Sequence, residues 1–253
     1  MLAGALSAPS LAPMNPELQQ STKAAESRRC MLSPPSVDRS VYLSFHYTDR
    51  YTFCMGTSQK TPRITMTPAA RRALEAAGRL FYERGIHAVG VDLIAAEAGV
   101  TKKTLYDRFG SKEQIVVEYL ADRDERWRAF LTPYLDAARP SPAAGVLAVF
   151  DASRAWSAQH SRKGCSMVNA HAEISDPSHP AYAIITAQKE WMLALFADLV
   201  GAAAPGRAGR LGRTLMLLHE GALVAHGLGI FPDPIGQARD EAEELLAAAG
   251  GRP

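Results

Sequence analysis

After residue 66 apolar residues return every three or four positions through nearly all of the chain, the spacing of amphipathic helices. In "TPAARRALEAAGRLFYERG", Ala73, Leu74, Ala77, Leu80 and Phe81 fall on one face. Thr67 is a natural N-cap, Pro68 fits the first helical position and Gly85 stops the helix. "VDLIAAEAG" predicts a second, short helix with Ile94, Ala95 and Ala98 inward and Gly99 closing it. "TKKTLYDRF" predicts a third, capped by Thr101 and ended by Gly110. Ser111, with Gln114 three residues on, matches a capping box and opens a long run from Lys112 to about Ala138.

The same period continues beyond. "SPAAGVLAVFDASRAWSAQH" predicts one helix, and "CSMVNAHAEI" a short one stopped by the "SDPSHP" loop. "PAYAIITAQKEWMLALFADLVGAA" and "GRAGRLGRTLMLLHEGALVAHGLG" predict two long helices, and "PIGQARDEAEELLAAAG" the last. There is no internal repeat and no strand alternation after residue 62, so the expected fold class is all-α. It divides into a three-helix domain at 63–112 and a larger helical domain at 113–253.

Residues 1–62 break the pattern. They carry six of the 16 prolines and no sustained period. Two readings stand: a disordered tail of low complexity, or a start assigned too early, with the natural one at Met55 or Met66.

The composition is that of a soluble globular protein, 47% apolar and 21% charged. The net charge of +2 hides an asymmetry. Residues 63–112 hold nine Lys/Arg against five Asp/Glu, whereas residues 113–253 hold thirteen against seventeen. A basic block before an acidic one points to a polyanion met by the first domain. The three cysteines, Cys30, Cys54 and Cys165, are too far apart for a disulfide framework or a zinc module, which fits the reducing cytoplasm. Apolar runs fall short of the roughly 18 residues of a membrane helix, and the N-terminus lacks the charged start and apolar core of a secretory signal.

Two short helices joined by "AGV" suit a helix-turn-helix: Gly99 permits the reversal and Val100 packs between the helices. The second helix of such a unit enters the major groove N-terminus first. Here that end is Thr101, Lys102, Lys103 and Thr104. Thr101 and the open backbone N–H groups suit a phosphate. Lys102 and Lys103 reach phosphates or guanine edges, and Thr104 reaches a thymine methyl or a base edge. Leu105 and Phe109 face the core, which leaves Tyr106 on the groove side, with Arg108 nearby and Lys112 set for a backbone contact.

Residues 67–119 resemble the TetR family of bacterial transcriptional regulators, through "ALEAAGRLFYERG" and "VDLIAAEAGVTKKTLYDRFGSKEQIVVEYL" and their spacing. The resemblance implies that the first domain binds double-stranded operator DNA as a homodimer. It gives DNA-contact roles to Thr101, Lys102, Thr104, Tyr106 and Lys112. Three positions depart from the family pattern. Lys103 stands where Gly is frequent, and Asp107-Arg108 where His or Tyr is frequent. Gly90 replaces the usual Ser or Thr cap of the second helix. Asp107 repels phosphate unless Arg108 neutralises it or it accepts from a cytosine amino group. Arg63 is either part of a minor-groove arm or a solvated side chain.

The resemblance also implies that the long helices at about 181–202 and 207–228 pair with those of a second subunit as a four-helix bundle. "TLMLLHEGALVAHGLG" is apolar nearly all round, so it belongs in the domain core or in an interface, and Gly221, Ala222, Ala225 and Gly227 allow close approach. "RKGCSMVNAHAEISDPSHP" resembles the family segment beside a small-molecule cavity. Candidates to line that cavity are Phe150, Trp156, Met167, Asn169, His171, Trp191 and His219, each also readable as ordinary core. Glu173 is placed for a buried hydrogen-bond network or a helix cap.

One competing motif exists. "HAE", His171 to Glu173, has the H-x-E form of zinc deaminases, but the P-C-x-x-C that completes such a site is absent. Asp176 and His179 lie near enough in sequence to join a chance metal cluster. There is no nucleophile elbow, no phosphate-binding loop and no dinucleotide fingerprint. The expected function is therefore a ligand-responsive homodimeric repressor, with no cofactor, no metal, no catalytic residue and no membrane partner. The alternatives are an activator of the same fold, a metal-dependent hydrolase or deaminase using His171 and Glu173, and a helical dimer that no longer binds DNA.

Overall fold

A computed structural model of the chain describes residues 63–139, 141–160, 162–204 and 206–250. The expectations for residues 1–62 lie outside the described residues. Among these, nine helices and no strand occur: α1 Pro68–Arg84, α2 Val91–Ala98, α3 Lys102–Phe109, α4 Lys112–Ala138, α5 Pro142–His160, α6 Ser166–Glu173, α7 Pro180–Ala203, α8 Ala208–Leu228 and α9 Pro234–Gly250. The fold is all-α.

The caps explain the boundaries. Thr67, Thr101 and Ser111 accept from the backbone N–H three residues on, at 3.2, 3.1 and 3.1 Å. Gly90 begins α2 with no side-chain cap. Gly99 takes the left-handed conformation (φ +61°) that the reversal between α2 and α3 requires. The long α4 runs through Pro133, where the Thr132 hydroxyl donates to Arg128 O at 2.8 Å one turn back.

Two apolar cores form. The first joins Leu74, Leu80, Phe81, Ile94, Leu105 and Phe109 to the first turns of α4 through Ile115, Val116, Val117 and Leu120. It also takes in Met167, Ala170 and Ile174 of the α6 segment and Ile185 of α7. The first core thus reaches past residue 112, because the α4 side chains nearest α1 face the small domain. The second core gathers Trp127 and Leu131 with Val149, Phe150, Phe196, Leu215 and Ile235 from α5, α7, α8 and α9.

Helix α8 approaches α7 closely. A Cβ on Gly212 would lie 2.9 Å from Ala197 Cα, so only glycine fits there. The long α8 is not apolar all round in its environment. Leu211, Leu215, His219, Ala222 and Leu223 are buried, while Leu217, Val224 and Leu228 are 75%, 45% and 70% exposed. Gly221 faces the same open side. Ala222 and Ala225 are used inside the chain, and Gly227 packs against the Lys163–Gly164 backbone. Among the described residues no helix is long and apolar enough to cross a membrane.

Candidate nucleic-acid interface and ligand cavity

The α3 surface carries the residues read from sequence. Leu105 and Phe109 point into the core, so the remaining positions project outward. Thr101, Lys102, Lys103, Tyr106 and Arg108 are exposed; Thr104 and Lys112 are half-buried. Tyr106 is 46% exposed, the one large aromatic on this face. The Thr101 and Thr104 hydroxyls share a hydrogen bond at 2.9 Å, so both sit at the N-terminal entrance.

The charges on this face are balanced in pairs. Lys102 Nζ lies 2.9 Å from Asp92 Oδ1 on α2, and that carboxylate raises its pKa. Lys103 Nζ lies 2.8 Å from Asp107 Oδ2, one turn on. The neutralising partner of Asp107 is therefore Lys103 and not Arg108, because i,i+4 side chains meet on a helix whereas adjacent ones diverge. Both pairs are exposed and weak, so a phosphate can replace either carboxylate.

Arg63 is exposed but paired with carboxylates of α4. Its Nε donates to Glu118 Oε2 at 2.7 Å and its Nη1 contacts Glu125. Glu118 is fully buried and also accepts from Ile64 N at 2.9 Å and Gln114 Nε2 at 3.1 Å. The segment before α1 is thereby tied to α4.

The second feature is a small cavity of about 60 Å³ between α4, α5, α6, α7 and α8. Trp127, Trp156, Met167 and Leu223 supply its apolar wall. Arg123, Asp124, Ser157, Cys165, Gln188, Lys189 and His219 supply polar groups. Of the seven cavity candidates from sequence, Trp156, Met167 and His219 lie on this wall. Phe150 lies behind it, fully buried, 5.8 Å from the rings of both Phe196 and His219. Trp191 lies off the wall beneath the Arg128 guanidinium, 3.9 Å from its ring centre. Asn169 and His171 are exposed, because α6 turns them away; Asn169 donates to Lys163 O at 3.0 Å and His171 stands beside Tyr182.

Burial sets the electrostatics. Burial pushes the Arg123 pKa down and the Asp124 pKa up, although Arg128 opposes the latter. Burial alone would raise the Glu220 carboxyl, but the His219 ring, 3.5 Å away, and the charge of Lys189 outweigh it and hold it at about 2. Lys189 Nζ donates to both Glu220 oxygens, at 2.8 and 2.9 Å, and to Cys165 Sγ at 3.1 Å. The Ser153 hydroxyl donates its single proton to Val149 O at 2.7 Å, so it must accept from His219 Nε2 at 2.8 Å. Gln188 Oε1, Ser157 Oγ and His219 Nδ1 are buried at this site without a hydrogen-bond partner.

Sequence reasoning missed Arg123, Asp124, Gln188, Lys189 and Glu220. One signal was present: "QKE" interrupts the apolar run of α7, and polar residues on a helix otherwise committed to the core mark a buried polar site.

The cavity is joined mechanically to the small domain. Glu173 accepts from Ile86 N at 2.8 Å and from His87 N at 2.7 Å. Tyr82 OH donates to Gly164 O at 3.0 Å and accepts from Lys163 N at 2.7 Å, and Lys163 Nζ contacts Glu83 O. These contacts occupy the residues that a metal cluster would need. Glu173 is spent on the α1–α2 turn, Asp176 on Ser178 N and Oγ, and His179 Nδ1 on Ala181 N. Among the described residues no three His, Cys, Asp or Glu side chains gather as metal ligands.

Known proteins share this fold. The model of the bacterial regulatory proteins of the tetR family matches residues 73–119. The crystal structure of a TetR-family transcriptional regulator from Streptomyces coelicolor is 33% identical, covers 72% of this chain and 96% of its own, and superposes with a TM-score of 0.68. The chain belongs to the TetR family.

The chain is also similar to curated HTH-type transcriptional regulators. The HTH-type transcriptional activator FasR of Mycolicibacterium smegmatis is 37% identical over 65 residues, 26% of this chain and 30% of FasR. The HTH-type transcriptional repressor KstR2 of the same species is 43% identical over 63 residues, 24% of this chain and 31% of KstR2. The chain thus spans under a third of the length of these two relatives.

Proposed function

We propose that the protein is a homodimeric, cytoplasmic transcriptional repressor that leaves its operator when a small molecule enters the cavity. The observation that carries this reading is the exposed row of Lys102, Tyr106 and Arg108 on α3, in a domain clamped by α4 and α6 to a second domain that contains a cavity. Thr101, Lys102, Lys103, Thr104, Tyr106, Arg108 and Lys112 are the proposed DNA-contacting set. Phosphate contacts from the lysines set register, and Thr104 and Tyr106 stand nearest the base edges.

The uncovered row Leu217, Val224 and Leu228 is the proposed dimer seam, carried by α8. The other long helix of the sequence reading, α7, spends its apolar side on α8 and on the second core. The effector acts by population shift: it binds the dimer form whose recognition helices no longer match adjacent major grooves. Near-complete release, from 99:1 to 1:99, requires a preference of about 5.5 kcal/mol for the open form.

One relative is named an activator and another a repressor, so an activator is the second reading. Selection from a pool of random duplexes tests the proposal. The expected product is an inverted repeat with half-site centres about 34–36 Å apart or a multiple of that. A pool with no enriched sequence after repeated rounds refutes it.

A further inference from the structure

We propose that Cys165 is a site of covalent capture for soft electrophiles of the α,β-unsaturated carbonyl class, and that the adduct is transmitted to the DNA-binding domain through α6. The link to regulation rests on the function proposed above; the chemistry at Cys165 does not.

Cys165 lies on the cavity wall, half-buried, at the N-cap of α6. Lys189 Nζ donates to its sulfur at 3.1 Å. Both Glu220 oxygens hold that ammonium in place, which fixes its charge beside the sulfur. A thiolate is the nucleophilic form of cysteine, and the Lys189 ammonium is the charged group that faces this sulfur. The pocket next to the sulfur is built to hold a polar group. Ser157 and Gln188 are 1% and 6% exposed, both line it, and Ser157 Oγ and Gln188 Oε1 have no partner. The Ser157 hydroxyl is a donor suited to a ligand carbonyl, and Trp127 and Trp156 give its flat, conjugated part an apolar wall.

The step balances without an oxidant. The thiol loses its proton to water, and Sγ attacks the β-carbon. A C–S bond forms as the C=C π bond breaks, and the electron pair moves to the carbonyl oxygen. Lys189 Nζ delivers a proton to the α-carbon and recovers one from water. The net change is addition of S–H across the double bond.

The loop that carries Cys165 has no slack. A Cβ on Gly164 would lie 2.7 Å from Leu223 O, and one on Gly227 would lie 2.8 Å from Gly164 N, so the loop before α6 is wedged against α8. The same loop holds Tyr82 of α1 through Lys163 N and Gly164 O, and the far end of α6 holds Ile86 and His87 through Glu173. Displacing α6 therefore moves both grips on the small domain.

The test treats the full chain with N-ethylmaleimide and follows adducts at Cys30, Cys54 and Cys165 by peptide mass mapping. The expected result is that Cys165 reacts at least about tenfold faster in the parent than in Lys189→Met. Lys189→Arg keeps a cation facing the sulfur and is expected to be slowed less than Lys189→Met, whereas a general loss of folding would affect both variants alike. An unreactive Cys165, or equal rates in parent and Lys189→Met, overturns the capture site. Operator affinity is then measured before and after alkylation, in the parent and in Cys165→Ser. Loss of affinity in the parent alone supports transmission through α6, and a fully alkylated parent that binds as before overturns it. If the untreated protein binds no duplex, the regulator reading fails while the alkylation rates still judge the site.

Discussion

The Glu173 carboxylate accepts the backbone N–H of Ile86 at 2.8 Å, across the boundary between the small domain and the cavity domain. Its second oxygen takes His87 N at 2.7 Å, so one side chain satisfies two donors of the α1–α2 turn. Gly85 makes room for it: a Cβ there would lie 3.0 Å from Glu173 Oε1.

Removing that carboxylate leaves two backbone donors without their partner. Glu173→Ala is expected to lower stability by about 1–3 kcal/mol, read from denaturant midpoints, and to speed amide exchange at Ile86 and His87. In an operator-binding assay it is expected to weaken the response to effector more than it weakens DNA binding. Unchanged exchange at both amides would show that the contact does not hold the turn.

The recognition helix gives a second set of expectations. Tyr106→Ala and Lys102→Ala are expected to weaken operator binding by about 1–3 kcal/mol if each touches a base, with the dimer intact by sedimentation. If Lys102 touches phosphate alone, its loss lowers the salt slope of log affinity by about one. Asp92→Asn releases Lys102 from its partner at 2.9 Å and is expected to raise affinity for all duplexes at low salt. Parent-like binding by both alanine variants would place the contacts elsewhere.

Buried Glu118 orders the chain before α1 through Arg63 and Ile64 N. Glu118→Ala is expected to destabilise the fold by about 1–3 kcal/mol, because the Ile64 N–H and the Gln114 amide lose their acceptor. Arg63→Ala leaves that carboxylate buried with fewer donors and is expected to destabilise as well. Equal melting temperatures in the parent and both variants would contradict this.

The α8 face carries the dimer expectation. Leu217→Glu and Leu228→Glu put a charge at positions 75% and 70% exposed in one chain, so the folded monomer tolerates them. Both are expected to give monomers in analytical ultracentrifugation with the helix content of the parent. Persistent dimers would move the seam to another surface.

Glu220 gives the pH dependence. Its pKa lies at about 2 in the folded chain, below the ordinary 4.5. A depressed carboxylate contributes stability that is complete above its unfolded value and is lost as the pH falls through the folded one. The window is therefore pH 4.5 to 2, and the contribution is on the order of 3 kcal/mol. Glu220→Gln is expected to flatten the loss of stability across that window in urea melts.

The helices were legible in the sequence because caps and period agreed. Thr67, Thr101, Ser111, Gly85 and Gly99 bound them, and the structure uses each in that role. The outward set on α3 followed from Leu105 and Phe109 alone. What escaped were relations between distant residues. Arg63 finds Glu118, 55 positions away, and no local pattern announces that pairing. Asp107 finds Lys103 because a helix brings i and i+4 together, a rule the sequence contained. The cavity wall depended on how α6 is rolled about its axis: Met167 turns inward while Asn169 and His171 turn out, and a helix of eight residues carries too few apolar positions to fix that roll.

The measurement that bears most directly on the central claim is fluorescence anisotropy of a labelled duplex from the region upstream of the protein's own gene, against a scrambled duplex, at two salt concentrations. The account predicts preference for the native duplex and an affinity that falls as salt rises, the mark of base readout on a background of phosphate contacts. Failure to bind either duplex at low salt would contradict it.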